Sequence, residues 1–95
     1  LHTHLALAWC YKRTRRLSQA IETLQEALKS DPFEAILHYN LACYWSLAQQ
    51  RKRALRSLSR ALDLDINYLD LIPTESDFDS IRDDPEFQLI TSLIA

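Results

Sequence analysis

Apolar residues through the first 66 positions recur at spacings of three and four, the period of a helix with one buried face. Four such stretches are predicted, at residues 1–14, 17–29, 33–48 and 51–64. The connections between them are two or three residues long, which forces consecutive helices to lie antiparallel. A shift of 34 residues superposes His4 on His38, Leu7 on Leu41, Ala8 on Ala42 and Ala20 on Ala54. It also superposes Leu24 on Leu58, Ala27 on Ala61, Leu28 on Leu62 and Asp31 on Asp65. These identities fall where a helix pair needs small residues for close approach and large ones to fill the gaps, with Leu7, Ala8 and Tyr11 expected to face the partner helix. The pattern predicts an all-α chain of two antiparallel helix pairs.

Between the pairs, Asp31-Pro32-Phe33-Glu34 has the composition of a helix start. Asp31 can cap free backbone amides, Pro32 suits the first turn, and Glu34 can reach back as in a capping box. The segment after residue 66 departs from the period. A further helix beginning at Asn67 is expected to stop at Pro73. Asp84-Pro85 then repeats the cap-and-proline signal, opening a helix with Phe87, Ile90 and Ile94 on one face.

The first unit supplies Leu7-Ala8, Tyr11, Ala20, Leu24, Ala27 and Asp31-Pro32; the second supplies Leu41-Ala42, Trp45, Ala54, Leu58, Ala61 and Asp65. In these positions the chain resembles the tetratricopeptide repeat family over residues 1–66. It departs from the family pattern at Ile66, where a Pro is usual, and at His4 and His38, where an aromatic is usual. Arg15 and Gln49 stand in place of the usual turn glycine, and the chain has no Gly at all. A left-handed residue at either turn costs roughly 1 kcal/mol. The tract from Asp77-Phe78 through Ile81-Arg82 to Asp84-Pro85-Glu86-Phe87 is similar to the closing segment of bacterial tetratricopeptide arrays. The resemblance implies a right-handed superhelix of two helix pairs, repeats at 1–34 and 35–66, and helical capping at 67–95. In such a cap Phe78, Ile81, Phe87 and Ile90 cover the apolar face of the last repeat.

Composition narrows the function classes. Ninety-five residues make one domain at most, and a chain of this size buries only about 60–65% of its unfolded surface. Apolar content of 47% and charged content of 25% are those of a globular chain. No apolar run approaches the ~20 residues that span a bilayer. The first residues lack a basic leader and cleavage site, and two cysteines make no disulfide framework, so a reduced, cytoplasmic setting is expected. A start at Leu1 and the absence of Met lead to the expectation of a fragment from the end of a longer array. The net charge of −2 hides an asymmetry: ten of eleven Lys and Arg precede Ala61, and nine of thirteen acids lie from Asp63 onward.

Two surfaces emerge as candidate sites. His2, Leu5, Trp9 and Lys12 form a stripe on the first helix, and Ile36, Tyr39, Cys43 and Ser46 form the equivalent stripe on the third, with Asn40 beside it. The resemblance implies that such stripes line a concave groove for a protein or peptide, here an apolar and aromatic one. The Lys and Asn set with which some family members clamp a terminal carboxylate is not matched, since Leu5 and Trp9 occupy its first positions and only Asn40 agrees. The second surface is a basic edge of Lys12, Arg13, Arg15 and Arg16 with Arg51, Lys52, Arg53, Arg56 and Arg60. It suits a nucleic acid or an acidic membrane surface, but such a run is also ordinary solvated charge that the acidic tail can neutralise. Self-association through the open first repeat is a third possibility.

Reactive chemistry is not expected. Asp77, Asp79, Asp83 and Asp84 lack the Gly and final Glu of a calcium loop, with Gln88 where that Glu belongs. His2 and His4 diverge on a helix, His4 and His38 repeat at a packing position, and no zinc spacing occurs. There is no phosphate loop and no nucleophile motif, and Cys10 and Cys43 are expected to act as small hydrophobes. The expectation is a non-catalytic binding module without cofactor or small-molecule substrate.

Overall fold

The computed structural model describes residues 2–92. Helices α1 (His2–Arg13), α2 (Leu17–Ser30), α3 (Ala35–Leu47) and α4 (Arg51–Leu64) form two hairpins. Two 3₁₀ segments, Ile66–Thr74 and Ser76–Ile81, lead to α5 (Pro85–Ser92), and the described residues contain no strand. The expected all-α class is therefore observed, and each of the four long helices begins and ends within two residues of its predicted bounds.

Both hairpin turns have the same construction, 34 residues apart. The Arg16 amide donates to the Tyr11 carbonyl at 2.7 Å and the Arg15 amide to Lys12 at 3.1 Å. The Gln50 amide donates to Trp45 at 2.9 Å and the Gln49 amide to Ser46 at 3.0 Å. This pairing satisfies the last carbonyls of a helix and requires a left-handed residue just past its end. Arg15 and Gln49 meet the requirement with φ of 62° and 60°.

The hairpins pack side by side, with α2 against α3 as well as each helix against its own partner. Ala8, Ala20, Ala27, Ala42, Ala54 and Ala61 are all buried, which lets the helix axes approach, and Leu24, Leu37 and Leu58 fill the space between them. These residues join one core cluster that continues into the tail through Ile72, Phe78, Ile81 and Phe87. The second 3₁₀ segment lies on α3, while the first lies on α4. Tyr68, Tyr39, Phe78 and Phe87 form a chain of rings with centroids 5.0, 5.7 and 5.8 Å apart. The tail thus covers α3 and α4 with the residues expected to do so. Ile94, placed on the same face of the last helix, lies outside the described residues.

Four local expectations are corrected. Leu7 does not face the partner helix: it is 44% exposed, whereas its equivalent Leu41 is buried. The reason is that α1 packs on α2, while α3 is flanked by α2, α4 and the second 3₁₀ segment. Asp31 does not cap α3. Its amide closes α2 on Ala27, and the Glu34 backbone amide donates back to the Asp31 carbonyl at 3.3 Å. Asp31-Pro32 thereby opens a β-turn with proline at its second position, and α3 starts only at Ala35. Pro73 does not stop the segment before it, because the 3₁₀ turn runs through Thr74 with the proline inside. Cys43, expected on an open helix surface, is buried, whereas Cys10 is exposed.

Candidate functional site

Residues of α1 and α3 line an open hollow of about 500 Å³. Leu5, Trp9 and Lys12 come to it from successive turns of α1, and Ile36, Asn40 and Cys43 from successive turns of α3. The spacings of three and four that define each stripe are what carry six of the nine predicted groove residues into one place. Three, His2, Tyr39 and Ser46, do not belong. His2 is exposed and absent from the hollow. Tyr39 is only 4% exposed, packed between a tilted Tyr68 ring and the edge-to-face Phe78 ring, and its hydroxyl is buried without a hydrogen-bond partner among the described residues.

The hollow also contains Ala6 and Tyr44, and its far side is closed by Glu75 and Asp77, which sequence reasoning did not place there. No helical period extends to these acids. Their position follows from Phe78 beside them, whose complete burial draws the 3₁₀ segment onto α3. The Ser46 hydroxyl fixes the docking by donating to the Asp77 carbonyl at 2.7 Å. Ser46, expected on the groove stripe, is thus a buried anchor for the tail.

Charge at the hollow is arranged across three elements. Lys12 Nζ on α1 meets Asp77 Oδ2 at 3.2 Å. The Glu75 carboxylate accepts the Asp77 backbone amide at 3.4 Å, which starts the 3₁₀ turn. Arg82 directs its guanidinium to the Glu75 backbone carbonyl, at 2.6 Å, and to Asp79 at 3.0 Å. Burial pushes the Cys43 thiol well above its ordinary range, and the Glu75 and Asp77 carboxylates push it further, opposed by Lys12. Burial likewise drives the Tyr44 phenol up to about 12, with the Cys43 thiol and the Asp77 and Glu75 carboxylates adding to the effect. Cys43 is therefore a protonated thiol at neutral pH, a poor nucleophile. The Cys43 sulfur and one oxygen each of Glu75 and Asp77 lie within 4.8 Å of one another, a donor set that a divalent ion would use. The Lys12 ammonium already stands at Asp77, however, and a metal would also have to displace the thiol proton.

The basic edge is distributed rather than concentrated. The ends of the two hairpins do meet, since Leu17 and Ser18 share a surface depression with Ala48, Gln50 and Arg53. Arg51 is held by Asp84 at 2.9 Å and lies 3.7 Å from Glu86, so the tail neutralises it as its acidic composition suggested. Arg13 lies over the Trp9 ring at 4.7 Å and Arg53 over the Trp45 ring at 4.9 Å. Arg15 and Arg16 are exposed at the first turn, and Lys52 and Arg56 are exposed on α4. No described helix is long and apolar enough to cross a membrane. Comparison with protein-family models, with curated proteins and with solved structures finds no match to this chain.

Proposed function

We propose that this chain is a non-catalytic protein-binding module of tetratricopeptide type, in which the hollow between α1 and α3 receives a segment of a partner protein. The observation that carries this reading is the convergence of Leu5, Trp9, Lys12, Ile36, Asn40 and Cys43 on one open hollow of about 500 Å³. Two equivalent helices thereby present an apolar wall from residues at regular spacing, with polar groups at fixed points. A wall built on packed helices is preformed, so little ordering entropy opposes binding. Two turns of identical geometry, 34 residues apart, support the repeat reading and with it a stacked, superhelical arrangement. The buried, protonated Cys43 and the absence from the sequence of a phosphate loop or nucleophile motif favour recognition over catalysis.

An anionic partner at the basic edge has less support, because Arg51 is already paired and Arg13 and Arg53 lie on tryptophan rings. Self-association stands as a second reading, on the exposure of Leu7 at 44% and Trp9 at 50%, on different sides of the first helix. Sedimentation over a range of concentrations tests it, and a monomer throughout removes it.

Peptides selected from an unbiased displayed library provide the test of the groove. Trp9→Ala is expected to weaken their binding by more than ~1 kcal/mol, about five-fold, because aromatic anchors dominate such surfaces. Arg16→Ala is expected to leave it unchanged. The affinity should also lack the steep log-linear fall with salt that phosphate contacts impose. Binders indifferent to Trp9 would refute the reading.

A further inference from the structure

The hollow combines apolar walls with an uncompensated negative charge, and this limits what fits it. Leu5, Ala6, Trp9 and Ile36 supply the walls. Among its charged residues Lys12 is matched by Asp77 at 3.2 Å, which leaves Glu75. The Glu75 carboxylate forms no salt bridge among the described residues and accepts only the long hydrogen bond from the Asp77 amide. Arg82 forms no salt bridge with this carboxylate: it bonds the Glu75 backbone carbonyl and Asp79. Burial keeps Cys43 and Tyr44 protonated, and the Glu75 and Asp77 carboxylates act in the same direction.

We propose that the hollow selects a partner segment carrying a lysine or arginine among apolar residues, the cation meeting Glu75 while the apolar flanks lie on Leu5, Trp9 and Ile36. The inference rests on the groove reading above and adds the chemistry of the occupant. An acidic segment would bring like charge to a partly desolvated carboxylate, which is costly. A metal ion would have to displace Lys12 from Asp77 and a proton from the Cys43 thiol. A side-chain cation needs neither, because it joins Glu75 with the Lys12–Asp77 pair intact. The same electrostatic match would exclude wrong partners more than it would add raw affinity.

The experiment is selection of random twelve-residue peptides on the full chain, followed by titration of labelled binders against wild type, Trp9→Ala, Glu75→Gln and Glu75→Lys. Gln retains an acceptor for the Asp77 amide, so the 3₁₀ turn is kept, and circular dichroism checks that it is. The expected binders carry Lys or Arg flanked by apolar residues. Glu75→Gln should weaken them about five- to ten-fold, in the range of a charge-assisted contact. Glu75→Lys should weaken them further, and a peptide with its cation changed to Glu should prefer Glu75→Lys over wild type. That exchange isolates the pair from any general effect on stability. Binders that need Trp9 but carry no cation and ignore Glu75→Gln would overturn this proposal while leaving the groove reading standing. Failure to obtain any binder sensitive to Trp9 would overturn both. A hollow blocked instead by zinc in a manner abolished by Cys43→Ser, or by a second copy of the chain, would also overturn it.

Discussion

Arg15 and Gln49 occupy a backbone region that a β-carbon disfavours, with φ of 62° and 60°. Both are exposed, and neither side chain makes a hydrogen bond or salt bridge among the described residues that would repay the strain. The turn needs their conformation, not their chemistry. Arg15→Gly and Gln49→Gly should therefore each stabilise the fold by up to about 1 kcal/mol, read from urea denaturation midpoints. Equal or lower stability in both variants would show that the strain is relieved in some other way. Burial at single residues obeys a different logic. Leu7 and Leu41 are the same residue type at the same point of the repeat, yet one is exposed and the other buried, because only α3 has neighbours on several sides.

At the scale of elements, the two Asp-Pro pairs show how one dipeptide serves opposite ends. At α5 the Asp84 carboxylate accepts the Glu86 amide at 2.9 Å and the Phe87 amide at 3.2 Å, capping the helix that Pro85 begins. Between α2 and α3, Asp31 forms the first corner of a turn through its backbone carbonyl, and His38 Nε2 secures the next residue by bonding the Pro32 carbonyl at 2.9 Å. Removing the two carboxylates should separate these roles. Asp84→Ala is expected to cost about 1–2 kcal/mol from the lost cap, with a further small loss from its pair with Arg51. Asp31→Ala should cost less than about 0.5 kcal/mol, as its side chain makes no hydrogen bond or salt bridge among the described residues. Thermal or urea unfolding of the two variants checks the contrast.

Across the whole molecule the tail, the core and the hollow share one titration. Cys43 has an ordinary value of 9.0 and lies far above it in the fold, while Tyr44 rises from 10.0 to about 12. Both groups are neutral when protonated, so above pH about 9 the folded chain holds protons that the unfolded chain releases. Stability is then complete below pH about 9 and declines as pH rises, by about 1.4 kcal/mol per pH unit for each group in its window. Urea denaturation between about pH 8 and 10 should show the Cys43 share, and Cys43→Ala should flatten the curve in that interval. A wild-type midpoint constant across it would contradict the burial argument.

Much of this protein was legible in the order of its residues. Helical period, the 34-residue repeat and short connections specify four helices with the observed bounds, because each signal acts over a few neighbouring residues. The repeat also brings Leu5, Trp9 and Lys12 to the same hollow as Ile36, Asn40 and Cys43, since equivalent faces of stacked hairpins point the same way. Tyr39 and Ser46 sit on the same predicted stripe as Ile36 and Cys43, but the tail folds over them and removes them from the surface. Glu75 and Asp77 reach the hollow only because Phe78 is buried against Tyr39, more than 30 residues away along the chain. Local pattern determined which residues form helices and which faces are apolar. The docking of the tail decided which of those faces stay open and what charge they meet, because long-range packing depends on shapes that no local period encodes.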